Sequence, residues 1–209
     1  MPYGSICGSP ASKADTSTQR QVANAAAQSY HPPMPELKKW FDSVETDRPF
    51  ETCKVCDQLL PLAAESWVIN KHYHRGECIM EYAVCESCRD GVSGKFSESS
   101  KTDIRSFLEN SIDWEQRMTE WMLLQNPEER LDACVACRSP REKMEGFTIS
   151  AQFRQDGSLI DGALPLLMCS KCVAQVTASL SKESRKVWQD FISEHFEGPD
   201  LEDIDLGIF

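Results

Sequence analysis

Eight of the ten cysteines fall into two matched sets: Cys53, Cys56, Cys85 and Cys88, then Cys134, Cys137, Cys169 and Cys172. Each set reads C-x-x-C, a gap of 28 or 31 residues, then C-x-x-C again. Two residues between thiolates let both sulfurs of one tight turn reach a single tetrahedral metal, at about 2.3 Å each. Two such pairs complete a closed four-sulfur shell. The expectation is two structural zinc ions per chain. Rubredoxin-type iron also takes four thiolates, but Asp57 and Arg138 stand where its knuckles usually carry glycine, which favours zinc.

The repeat extends beyond the cysteines. "FETCKVC" at 50–56 matches "LDACVAC" at 131–137, and "ESWVINKHYH" at 65–74 lies over "EGFTISAQFR" at 145–154 without a gap. The second match pairs Trp67 with Phe147, Ile69 with Ile149 and Tyr73 with Phe153. A third block, from Cys85 to Leu108, runs over Cys169 to Ile192 and pairs Val92 with Val176, Phe96 with Leu180 and Ile104 with Trp188. Three blocks at nearly constant offset read as an internal duplication. The expected fold class is α+β: two duplicated zinc-stabilised modules joined by a helical connector, with disordered termini.

Modules of roughly 60 to 70 residues sit near the lower limit for a purely hydrophobic core, so a metal staple is expected. Disulfides are the rival use of ten cysteines. The start, "MPYGSICGSPASKADTSTQRQ", has no basic segment followed by an apolar run, so the expectation is no secretory signal and a reducing cytoplasm. No stretch approaches the ~18 apolar residues needed to span a bilayer. The formal charge is −11, and eight thiolates on two zinc ions would bring it to about −15. Nucleic-acid binders usually show a basic face, and no basic stripe is evident here.

Composition divides the chain into five parts. Residues 1–33 are rich in Ala, Ser, Gln and Thr and read as a disordered arm. Module one spans 34–110 and begins with Leu37, Trp40, Phe41 and Val44 at the spacing of a short amphipathic helix. The connector, 111–130, continues a stripe of Ile104, Phe107, Leu108, Trp114, Met118, Trp121 and Met122, expected to pack as core between modules. It is expected to break near Asn110–Asp113 and to stop before Pro127. Module two spans 131–196. The tail, 197–209, interleaves acids with Leu201, Ile204, Leu206, Ile208 and Phe209, which suggests a docking segment for a protein partner.

Within each module the first C-x-x-C sits in a loop, followed by an alternating strand, a glycine-bearing turn and a second apolar segment. That segment runs straight into the second C-x-x-C, after which the sequence turns helical, clearly so in "CSKCVAQVTASL". Knuckle, hairpin, then a helix whose first turn carries the last two ligands: this order resembles the treble-clef class of zinc fingers. A zinc ribbon, which places its second C-x-x-C on another hairpin, is the competing reading. The resemblance implies a fold class and little about function.

His72 and His74 alternate along the first strand. HNH nucleases of treble-clef type carry a catalytic histidine there, and a degenerate nuclease is one alternative. The dipeptide before His72 is Asn70-Lys71, however, and the family's downstream Asn–His pair is missing before Cys85. Surface histidines on a half-exposed strand are the simpler expectation. Cys78 reads as a partly buried thiol and Cys7 as incidental. Closed four-cysteine sites leave no position for water or substrate, and no nucleophile elbow, phosphate loop or H-E-x-x-H helix is present. The leading expectation is a non-enzymatic interaction module or adaptor, with no small-molecule substrate and no membrane. A nucleic-acid-associated regulator is the alternative.

Overall fold

The structure, a computed structural model, describes residues 35–63, 66–123, 127–160, 162 and 164–196. The arm at 1–33 and the tail at 197–209, about which the sequence raised expectations, lie outside these. The described residues belong to one compact unit built on a four-stranded antiparallel sheet of order β2-β1-β3-β4.

Each half supplies one hairpin. In the first, β1 (Ser66–His74) turns into β2 (Glu77–Cys85) through Arg75 and Gly76, both at positive φ (50° and 85°). Two left-handed residues are what a tight hairpin needs to match the twist of its strands. In the second, β3 (Gly146–Arg154) returns by a longer loop to the short β4 (Leu166–Cys169).

The halves meet where β1 pairs with β3. The register sets Asn70 opposite Ser150, Trp67 opposite Phe153 and Tyr73 opposite Phe147. Trp67 stacks on Phe153 (centroids 6.1 Å) and Tyr73 on Phe147 (4.9 Å), so the two aromatic pairs flank the Asn70–Ser150 pair symmetrically. Ser150 Oγ donates to Asn70 Oδ1 at that centre. The strands therefore pair as if a local two-fold axis ran between Asn70 and Ser150.

A central strand is covered on both faces, and β1 is buried from Ser66 to His72. One face carries Trp67, Ile69 and Lys71. Against it lies the segment that begins with α1 (Pro35–Lys39), where Phe41 meets Phe153 edge-on at 5.9 Å. Leu37 and Phe41 are 1% exposed, as the helical spacing predicts, but Val44 is 60% exposed. The helix stops at Lys39, and Val44 instead donates its backbone N–H to Glu81 (2.9 Å). The short α2 (Leu60–Ala63) contacts β1 and β2.

The other face lies beneath helices. In the first half these are α3 (Glu86–Gly94) and α4 (Glu98–Ser111). After the connector helix α5 (Trp114–Leu123), the second half supplies α6 (Ser170–Ser179) and α7 (Lys182–His195). The long helices cross over: α4 packs on α6, and α7 packs on α3.

The connector breaks as expected. Ile112 is buried with an extended backbone, and Asp113 Oδ1 accepts the Gln116 N–H (2.8 Å) to restart the chain as α5. Its stripe packs only in part as foreseen: Phe107, Leu108 and Trp114 lie against the core, but Met118 and Met122 do not. Met118 is 41% and Met122 73% exposed, because α5 turns Arg117 inward, where the guanidinium donates to the Pro165 carbonyl. Residues 124–126, where the helix was expected to stop, are not among those described.

Candidate metal centre

Each C-x-x-C knuckle is built by the same backbone bonds. Asp57 N–H donates to Cys53 O and Arg138 N–H to Cys134 O, each at 2.9 Å, closing a tight loop around the first pair of sulfurs. Cys53 N–H donates to Gln58 O and Cys134 N–H to Ser139 O, again at 2.9 Å. The turn takes Asp57 and Arg138 to φ 57° and 59°, the left-handed region that glycine adopts most cheaply. The chain makes these knuckles without glycine there.

Each knuckle is then tied to the last strand of its own hairpin: Lys54 N–H to Ala83 O and Val135 N–H to Leu167 O, both 2.8 Å. That strand delivers the third cysteine to the helix entrance. Cys85 is the N-cap of α3 and Cys88 lies in its first turn; Cys169 and Cys172 stand likewise on α6. Exposed amides and the positive end of the helix dipole favour thiolate at such positions.

All eight predicted ligands are brought together in their expected sets. Within each set the four sulfurs lie within 4.8 Å of one another. Cys56 and Cys85 Sγ are 4.0 Å apart, Cys137 and Cys169 Sγ 3.6 Å. Zinc in a tetrahedron of ~2.3 Å bonds separates its sulfurs by roughly 3.8 Å. Donor set and spacing fit two zinc ions per chain.

The electrostatics agree. Cys85 N–H points at Cys53 Sγ and Cys169 N–H at Cys134 Sγ, both 3.4 Å. Burial raises the Cys85 thiol, yet the Ser87 hydroxyl and the Cys88 amide outweigh it and bring it down to about 7. Burial also raises Cys137, and the Ser139 hydroxyl and amide bring it to about 6. Burial and the neighbouring thiolates push Cys88 and Cys172 upward. Four thiols this close resist full ionisation until a divalent cation offsets their charge. Zinc held in this way contributes folding free energy and leaves no ligand position for chemistry.

The other sequence candidates lie outside the shells. His72 is not a surface histidine: it is 3% exposed, stacked near Tyr82 (6.0 Å), with Nδ1 against Thr148 Oγ1 at 2.9 Å. Pairing with β3 places β1 in the middle of the sheet, and the second half, including Thr148, then encloses a side chain that a lone hairpin would leave open. His74, at the end of β1, is exposed. Cys78 is half-buried, and burial together with Glu81 raises its thiol to about 11, so it stays protonated near neutrality.

Lys71 escaped the sequence reading. It is 2% exposed, donates to the carbonyls of Trp40 and Asp42, and pairs with Glu81 at 3.2 Å. Its place between Ile69 and Tyr73 on the core-facing side of an alternating strand was the available signal.

No protein-family model matches the chain, and comparison with curated proteins and solved structures finds no match. Among the described residues no helix is long and apolar enough to cross a membrane.

Proposed function

We propose that this chain is a non-enzymatic, cytoplasmic zinc protein that acts as a protein-interaction module, its two treble-clef-type halves descended from one duplicated unit. The observation that carries this reading is that both metal sites are filled by four protein thiols each. Such sites build a scaffold and bind no substrate. The shared knuckle bonds, the helix-borne third and fourth cysteines and the symmetric β1–β3 register support the treble-clef and duplication parts. The interaction part is supported by large apolar side chains left in solvent on α5, namely Met118, Met122 and Leu123. Methionines on a helix surface adapt readily to a partner's shape.

The test compares copurifying proteins for the full chain, a chain ending at Phe196 and a Met118→Glu, Met122→Glu double variant, all zinc-loaded. Loss of one defined partner from either altered chain is the expected result. An identical set of copurifying proteins in all three would overturn the interaction role.

A further inference from the structure

The two halves differ at the helix that follows the third cysteine. Aligned on Cys85 and Cys169, α3 and α6 carry Arg89 against Val173, Val92 against Val176 and Gly94 against Ala178. On α6, Val173 and Val176 are sealed in the core; on α3, Cys88 and Val92 are only half-buried. Beneath α3 lies a mainly apolar cavity of about 450 Å³, between the β1–β2 face and helices α4 and α7. Its volume falls in the range of small-molecule sites.

The walls come from Val92 and Phe96 on one side, Ile104 on α4, and Trp188 and Phe191 on α7. Tyr82 and Asn70 line it from the sheet. In a chain of net charge −11, three cations also line it: Arg89, Lys101 and Arg105. Arg89 is engaged by Glu86 and Asp90, and Lys101 by Glu98. Arg105, exposed, makes no salt bridge among the described residues.

We infer that this cavity binds an aliphatic carboxylate, its hydrocarbon body under α3 and its anionic head at Arg105. Apolar walls reward the chain by the area they remove from water, and a cation at the solvent side holds the head group without desolvating it fully. An alkylammonium of equal length would gain the first contribution and be repelled at the second. The site is separate from the zinc shells and does not depend on the interaction role.

The probe is dodecanoate below its micelle concentration, titrated calorimetrically into the full zinc-loaded chain, with dodecylammonium as the control. The expected result is saturable one-to-one binding of dodecanoate, weakened about tenfold by Arg105→Gln as a charge-assisted contact is lost. Two filling variants, Val92→Trp and Ile104→Trp, should abolish it while two zinc ions per chain are retained. The second places in the first half the residue type that Trp188 supplies in the other. Absence of binding, equal affinity for dodecylammonium, or undiminished binding in a folded filling variant would overturn the proposal. Binding that emerges only after residues 197–209 are removed would assign the cavity to the chain's own acidic tail, and would also overturn it.

Discussion

Ser97 and Ser181 begin corresponding helices of opposite halves and touch each other, Oγ to Oγ, at 3.1 Å. Each caps its own helix, accepting the N–H of Ser100 or Ser184 at 3.2 Å. The exchange is reciprocal: Ser97 N–H donates to Ser184 Oγ and Ser181 N–H to Ser100 Oγ, both 2.9 Å. Ser100 and Ser184 are fully buried. The four hydroxyls bind the halves at the point where α4 and α7 start.

Removing one of these hydroxyls strands a backbone donor in the opposite half. Ser100→Ala and Ser184→Ala should each cost about 1–3 kcal/mol in denaturant unfolding of the zinc-loaded chain. The double variant should depart from additivity, since both belong to one network. Unchanged midpoints would mean the cluster carries no stability.

His72 sets a pH dependence. Burial lowers its pKa to about 3 from 6.5, so between those values the unfolded chain carries a proton that the folded chain lacks. Stability must then fall as pH falls through that window, by up to about 1.4 kcal/mol per pH unit from this group. His72→Gln cannot take up the proton. Between pH 6.5 and 5, with zinc saturating, it should lose less stability than the parent; equal slopes would contradict this.

The Lys71–Glu81 pair anchors the loop after α1 to the sheet. Burial raises the Glu81 carboxyl, but hydrogen bonds from Ser43 and Val44 and the Lys71 ammonium outweigh it, holding the group below its ordinary range. Its contribution is present above the unfolded carboxylate pKa and is lost as pH falls through the folded one. Lys71→Ala leaves a half-buried carboxylate without its cation and empties the space under Trp40 and Asp42, and should cost about 1–3 kcal/mol in chemical denaturation. Lys71→Met should cost less, because it removes the charge yet fills the space. Identical losses would contradict the ion-pair account.

Both metal sites were legible in the sequence because a shared ion turns a local spacing into a tertiary contact. The hairpins were legible from Trp67, Ile69 and Tyr73, which alternate as strands do. The burial of Asn70 and His72 was not, since it depends on β1 pairing with a strand some eighty residues away; Lys71 follows the alternation, but its partners, the Trp40 and Asp42 carbonyls, lie about thirty residues upstream. Val44 and Met122 follow the helical period yet face solvent, because the segment after α1 leaves the helix for Glu81 and α5 packs through Arg117. The crossed helices and the cavity under α3 depend on how two halves dock, which no local pattern encodes.

The most direct test is the native mass of the full chain expressed without added metal, alongside Cys85→Ser and Cys169→Ser. The account predicts two zinc ions in the parent, one in each variant, and loss of fold when a chelator removes them. A folded chain carrying no metal, or variants that keep both ions, would contradict it.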